Sequence, residues 1–282
     1  MFDRVYVEIG NICNLHCSFC PGTKRQKRQM TVEEFDVVCQ KLKGFCEHLL
    51  FHVMGEPLLH PKLDDFLKKA SEYGYKVSIT TNGTLLGKCI DTLVNNANVL
   101  HRVSVSLHAP EGNGEKEISD YLMMVIDSAK KLTSCEVNTV YRLWNLDTED
   151  KKGNNSENAS ILNHLKKEYK EEWIKRYSGY RLAYRTFLEF DGIFTWPSES
   201  DAEEENFGKC YALSRQIAIL SDGTVVPCCL DSEGKIPLGN IFESSLKEIL
   251  STKVAVEMLR GFQERRFVHA LCKKCTYARR FG

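Results

Sequence analysis

Cys13-Asn14-Leu15-His16-Cys17-Ser18-Phe19-Cys20-Pro21 follows an apolar run near the start of the chain, and the reading of the fold works outward from it. Its C-x3-C-x2-C spacing puts three soft thiolate donors on one short loop. Three thiolates can occupy three corners of a cubane iron–sulfur cluster and leave the fourth iron open. A structural zinc site instead closes with four ligands. Free cysteines are often buried as small apolar side chains, but three within one short polar loop make a poor core pattern.

The 282 residues carry 38 Lys and Arg against 38 Asp and Glu, a formal net charge of zero. That balance creates no broad field for nucleic acid, and no apolar run is long enough to span a membrane. Met1-Phe2-Asp3-Arg4 leads straight towards a strand, without the basic-then-apolar start of a secretion signal. Twelve cysteines in such a chain point to metal binding in a reducing cytoplasm rather than to a disulfide framework.

Strand and helix patterns alternate on either side of the cysteine loop. RVYVEI (Arg4 to Ile9) reads as a buried strand leading into it. Lys24-Arg25-Gln26-Lys27-Arg28 reads as a solvated basic loop, or as a rim for an anionic part of a substrate. Thr31 and Glu34 make a capping box for a helix from Val32 to about Phe45, with Cys39 and Cys46 as core thiols. HLLFHV (His48 to Val53) reads as the second strand and leads into Met54-Gly55-Glu56-Pro57, where a glycine permits close backbone approach to a ligand. Helices are expected at Leu63 to Tyr73, closed by Gly74, at Leu85 to Asn96, which carries Cys89, and at Ile118 to Leu132. Strands are expected at Lys76 to Thr80, Arg102 to Leu107 and Cys135 to Arg142. Asp147 to Ser160 reads as a polar loop, Ile161 to Tyr177 as a helix and Arg181 to Phe190 as a sixth strand. This alternation implies parallel βαβ units with right-handed crossovers. Sites in such folds lie beyond the C-terminal ends of the strands. Cys13, Glu56, Asn82, Ser106 and Arg142 all fall at or near such ends and are expected to face one cavity. His52 and His108 lie there too and receive no assigned role.

SESDAEEEN (Ser198 to Asn206) is an acidic run that marks a boundary. Residues 1–197 are read as one domain, 198–209 as a linker and 210–282 as a second domain. Ile217 to Pro227 reads as a hairpin turning at Asp222-Gly223, which returns Cys228 and Cys229 towards the segment of Cys210. A helix is expected from about Ser245 to Arg260, and Cys272 and Cys275 form a C-x2-C knuckle. Four thiolates from these three segments close a site completely. Spacing alone leaves both zinc and an iron–sulfur cluster open for it.

Cys-x3-Cys-x-aromatic-Cys, with Phe19 as the aromatic, resembles the signature of the radical S-adenosylmethionine (SAM) superfamily. The resemblance implies an α/β fold, a partial (β/α)6 TIM-like barrel, with a [4Fe–4S] cluster on Cys13, Cys17 and Cys20. In that family the open iron binds SAM, and the reduced cluster cleaves it to a 5′-deoxyadenosyl radical that abstracts hydrogen; the cofactor carries this chemistry. Met54-Gly55-Glu56-Pro57 is similar to the family's Gly-Gly-Glu turn, with Met54 in place of one glycine. That likeness sets Gly55 and Glu56 at the SAM amino group. It also implies that Ser106 reaches the SAM ribose or carboxylate and that Arg142 pairs with the carboxylate. Phe19 and Asn82 complete the expected cofactor-binding set. The later cysteines resemble the SPASM/twitch extension of the same superfamily: Cys, then Gly-x4-Cys, then Cys-x2-Cys. Gly223 selects Cys228 over Cys229 in that pattern, and Gly239-Asn240-Ile241 fits it as well. Cys210, Cys228, Cys272 and Cys275 are therefore expected to hold one auxiliary [4Fe–4S] cluster in a small α+β domain.

The implied activity is a net oxidation of a small molecule, such as an amino sugar or alcohol, with the auxiliary cluster as electron acceptor. The pattern resembles the twitch dehydrogenases of aminoglycoside biosynthesis, and it implies an external one-electron donor of flavodoxin or ferredoxin type. No further catalytic side chain is assigned. Peptide modification or maturation is the alternative; no leader-recognition domain is seen ahead of the first strand, which favours a small molecule. A non-enzymatic electron carrier or redox sensor is more distant, since ferredoxins close each cluster with four protein ligands.

Overall fold

A computed structural model describes residues 1–112, 118–146, 156–192, 194–197 and 204–281. The chain first lays down β1 (Arg4–Val7), α1 (Val32–Leu42), β2 (His48–Phe51), α2 (Leu63–Glu72), β3 (Lys76–Thr81), α3 (Leu86–Asn95) and β4 (Leu100–Ser106). Next come α4 (Ala109–Gly112), α5 (Ser119–Ser134), β5 (Asn138–Leu146), α6 (Ser156–Glu168), β6 (Ile174–Arg176), β7 (Gly179–Ala183) and β8 (Thr186–Gly192). The chain then adds β9 (Gln216–Ile219), β10 (Thr224–Val226), β11 (Gly239–Asn240), α7 (Leu246–Leu250), α8 (Lys253–Gln263) and α9 (Ala270–Lys273).

Among the described residues these strands share one sheet, in the order β11-β10-β9-β1-β2-β3-β4-β5-β8-β7-β6. β1 to β5 and β8 are parallel neighbours, the six strands of an open half-barrel. β9 extends the same sheet by pairing in parallel with the other edge of β1.

Strand alternation divides each strand between two sides. Val5 and Val7, Leu49 and Phe51, Val77 and Ile79, and Val103 and Val105 join the core under the helices. Tyr6 points the other way, into a small inner cluster with Val53, Ala218, Leu220 and Val226. The helices present matching stripes. α1 buries Phe35, Val38, Cys39 and Leu42, and Phe35 stacks on Phe66 of α2 at 4.5 Å. Its start is fixed by the capping box: Glu34 N donates to Thr31 Oγ1 at 3.1 Å and Thr31 N donates to Glu34 Oε2 at 2.8 Å.

Three expectations change. The stretch 181–190 is not one strand, because Arg185 adopts φ 52 and turns the chain between antiparallel β7 and β8. The helix read over 161–177 starts earlier and stops at Glu168, and β6 takes its last residues. Part of the polar loop read at 147–160 is thus helical, while 147–155 lies outside the described residues. The helix read from 245 to 260 is α7 and α8, because Thr252 stops propagation by accepting from Ala255 N as a new N-cap. Residues 198–203 of the acidic linker also lie outside the described residues. Among the described residues no helix is long and apolar enough to cross a membrane.

Contacts tie the region after the linker to the barrel. Lys41 of α1 donates through Nζ to the carbonyls of Ile241, Phe242 and Ser244 at 2.6, 3.3 and 3.1 Å. Lys41→Met keeps the stem but loses all three bonds. Chemical denaturation is expected to show a loss of about 2 kcal/mol, the range for bonds to a charged group. A loss below about 0.5 kcal/mol, the scatter of neutral surface changes, would show that solvent replaces them.

Candidate functional site

Beyond β1 the chain turns across the ends of β3 and β4. Asn14 Nδ2 donates to Thr84 Oγ1 at 2.9 Å, and Asn82 Nδ2 donates to Asn14 Oδ1 at 3.0 Å and lies 3.9 Å from Cys13 Sγ. Cys17 Sγ donates to the Ala109 carbonyl at 3.3 Å, and the Phe19 ring meets His108 at 5.0 Å. Cys13 and Cys17 are half-buried and Cys20 is exposed. Burial, then the neighbouring Cys20 and Cys13, push Cys17 up to about 11. Burial likewise raises Cys13. The loop therefore gathers thiols that become good ligands only when a cation deprotonates them.

Gly55 closes the approach of the next turn. Its φ is +81, and a Cβ there would run into the Gly10 carbonyl, so the position requires glycine. Glu56 N donates to the Ile12 carbonyl at 2.9 Å. The Glu56 carboxylate is buried and already accepts from Leu58 N at 3.0 Å, Thr81 Oγ1 at 2.7 Å and Asn82 N at 2.7 Å. It clamps the turn after β2 onto the end of β3. A carboxylate offers about four acceptor sites, which leaves one for an ammonium. Burial raises the pKa of Glu56 and these donors oppose the rise.

Unpartnered polar groups collect in the barrel lumen. Arg142 pairs in register with Ser106. Its guanidinium lies 3.6 Å over the Trp144 ring, and burial lowers its pKa. No described residue accepts a hydrogen bond from it. Nδ1 of His52 and Nε1 of Trp144 are buried without a partner among the described residues. Burial, reinforced by Arg142, pushes His52 down to about 3, and burial pushes His108 down to about 4. A desolvated cation and orphaned donors fit an anionic, polar ligand such as the SAM carboxylate.

The second cysteine set lies at the other end of β1. β10 runs back against β9, so Cys228 emerges where β9 and β1 begin, and Cys210 precedes β9. Cys210, Cys228, Cys272 and Cys275 line one cavity of about 30 Å³, walled by Pro227, Leu230, Ile236 and Phe267 among others. Asp231 also lines it, with its carboxylate tied to Lys235 N and Ile236 N, so the enclosure offers four soft donors among mainly apolar walls, which fits a closed cluster. Among the described residues no group of three or more His, Cys, Asp or Glu side chains is gathered as around a single ion. Cys229 is not part of that lining. It packs against the inner cluster of Tyr6, and burial pushes its thiol up to about 11.

Sequence reasoning missed Glu8 and misread the basic loop. Arg25 forms an ion pair with buried Glu8, and Arg28 holds both oxygens of Glu34 at 2.7 Å. Those two arginines tie the loop down instead of lining a rim. The only signal was an acid inside an otherwise apolar strand run.

A family model described as the radical SAM superfamily matches residues 7–153, and one described as an iron–sulfur cluster-binding domain matches 210–276. A GTP 3′,8-cyclase of Chlorobaculum tepidum is 34% identical over 96 residues, 33% of this chain and 29% of its own length. The neomycin C epimerase of Streptomyces fradiae is 27% identical over 148 residues, 51% of this chain and 47% of its own. An S-adenosyl-L-methionine-dependent 2-deoxy-scyllo-inosamine dehydrogenase of Niallia circulans is 30% identical over 93 residues, 30% and 37% of the two chains. The chain thus spans less than half the length of these curated relatives. The crystal structure of BtrN in complex with AdoMet and 2-DOIA aligns over 98% of this chain and 93% of its own, with a TM-score of 0.63 and 22% identity. That likeness is one of fold.

The two buried histidines make a pH prediction. Their folded pKa values lie below an unfolded value of about 6.5, so their contribution to stability is intact above pH 6.5. It is lost as pH falls towards about 4. Each is expected to add a slope of about 1.4 kcal/mol per pH unit in that window. Chemical denaturation of the anaerobic protein at several pH values checks this, and His108→Asn should flatten the profile. A wild-type profile as flat as that of the variant would show that His108 is hydrated.

Proposed function

The chain belongs to the radical SAM superfamily, and on that premise we propose that it is an oxidoreductase of a small polar molecule such as an amino sugar or alcohol. Its membership makes it an enzyme, and it carries a C-terminal iron–sulfur cluster-binding domain. The observation that carries the reading is the four-cysteine cavity, closed by its own chain, at the opposite end of β1 from a loop with three cysteines. Cys13, Cys17 and Cys20 would hold the catalytic cluster, and Cys210, Cys228, Cys272 and Cys275 the auxiliary one. When bound, these groups with SAM supply a 5′-deoxyadenosyl radical to take hydrogen from the substrate and a one-electron acceptor that makes the net reaction an oxidation.

The chain's own residues bind, orient and exclude water. Arg142 and Ser106 take the SAM carboxylate, and the free acceptor site of Glu56 takes its ammonium. Gly55 keeps the turn close to the cysteine loop, Asn82 steadies Cys13 and Phe19 covers the loop. His52 and His108 stay neutral near pH 7 and serve as hydrogen-bonding groups. The names of the relatives support the substrate class, since they include an epimerase of neomycin C and a dehydrogenase of 2-deoxy-scyllo-inosamine. An external one-electron donor of flavodoxin or ferredoxin type and a cytoplasmic setting belong to the same reading.

Anaerobic reconstitution is expected to give about eight irons per chain, from two cubanes. Replacing Cys13, Cys17 and Cys20 by Ala should remove about half of the iron and end SAM cleavage. Replacing Cys272 and Cys275 by Ala should destabilise residues after 207, because metal binding here is folding free energy, while some 5′-deoxyadenosine still forms. Cys229→Ala should keep the iron that Cys228→Ala loses. Iron analysis showing the reverse would reassign the ligand, and stoichiometric zinc after anaerobic purification would end the auxiliary-cluster reading.

A further inference from the structure

Arg25 leaves the three-cysteine loop shortly after Cys20, and Ser232 leaves the four-cysteine region shortly after Cys228. The Arg25 guanidinium joins them. It donates through Nη2 to Glu8 Oε1 at 2.5 Å and through Nε to the Ser232 carbonyl at 2.8 Å. Glu8 is only 1% exposed. Its Oε1 also accepts from Met54 N at 3.2 Å, and its Oε2 accepts from Ser221 N at 3.0 Å. Beside this, Lys24 N donates to Glu233 Oε2 at 3.2 Å. One buried carboxylate and one guanidinium thus bind five segments: the end of β1, the exit of the first loop, the turn of Gly55 and Glu56, the β9–β10 turn and the exit from Cys228. The partners are 17, 46, 207 and 213 residues apart, so none of these contacts is a by-product of local structure.

We infer that Arg25 and Glu8 are positioning residues, which fix the four-cysteine region relative to the three-cysteine loop. A buried ion pair is weak evidence for net stability, because desolvation offsets most of the attraction. What it supplies is geometry. The planar guanidinium fork directs its N–H groups at fixed angles, so Glu8 and the Ser232 carbonyl are held in one mutual arrangement. A lysine reaches either acceptor but cannot reproduce the fork. Electron transfer between two bound centres falls steeply with their separation, so this arrangement governs how well SAM cleavage is coupled to substrate oxidation. That consequence rests on the two-cluster reading above, whereas the contacts themselves do not.

The test uses the anaerobic holoprotein as wild type, Arg25→Lys, Arg25→Met and the double variant Glu8→Gln with Arg25→Met. Three quantities are measured with SAM present: iron per chain, amide hydrogen exchange over residues 219–233, and the paramagnetic relaxation of one reduced cluster by the other. Arg25→Met is expected to keep its iron, to exchange about tenfold faster over 219–233, as for one lost charge-assisted bond, and to change the relaxation. The double variant leaves no buried unpaired charge, so its thermal midpoint should return towards wild type while the altered relaxation persists. Arg25→Lys keeps a cation for Glu8 and should shift the relaxation with little loss of stability. It also decides the matter if Arg25→Met fails to fold. Wild-type relaxation and exchange in an iron-replete Arg25 variant would overturn the inference, as would a double variant that restores relaxation together with stability. Absence of a second cluster would appear in the iron count and end the functional reading; exchange over 219–233 would still decide this one.

Discussion

β1 is hydrogen-bonded in the parallel sense on both edges, to β2 on one side and to β9 on the other. A parallel neighbour demands a crossover, and for β9 the crossover starts at β8, on the far side of the half-barrel. The chain must therefore pass from one rim of the open barrel to the other before it can pair with β1. Both cysteine sets inherit their places from this. The first loop leaves the C-terminal end of β1, and Cys210 precedes β9 at the opposite end, with the lumen and its unpartnered polar groups along the strands between. The C-terminal segment then secures the far rim, where Arg280 pairs with Asp191 at 2.6 Å and Thr276 Oγ1 donates to the Thr195 carbonyl at 3.3 Å.

Much of this was legible because it is local. Period-two apolar runs read correctly as β1 to β5 to within a few residues, and so did the capping box at Thr31 and the turn at Asp222-Gly223. Gly223 sits at φ +84 and packs against Asn240 and Phe242, so its role in the turn is one that glycine chemistry predicts. The cysteine spacings picked out four thiols that the fold brings to one cavity. The errors are local too. β6 has three residues, all exposed, and carries no apolar alternation to distinguish it from a charged helix face. The break between α7 and α8 depends on whether Thr252 turns its hydroxyl to the Ala255 amide, which helical periodicity does not reveal.

The roles of Glu8, Arg25 and Glu56 were not legible for a different reason. Each depends on partners brought close only by the folded sheet. Glu56 was expected to wait for a ligand, yet it already ties two strand ends together. On the proposed reading, cofactor placement and the stability of the barrel mouth draw on the same carboxylate. A substitution there tests both at once. Arg142, by contrast, is held by ring stacking and makes no hydrogen bond among the described residues, so a change in it bears more directly on what the lumen binds.

The outward edge of β1 carries one more consequence. β1 is short, Val5 and Val7 are fully buried, and its second edge is satisfied only by β9. While β9 is unformed, a newly made barrel presents a row of bare amides and carbonyls next to apolar side chains, the form of strand that recruits other chains into aggregates. On the two-cluster reading, filling the four-cysteine cavity would hold the segments flanking β9 together, so the auxiliary cluster would also keep this edge covered and guard the chain against self-association.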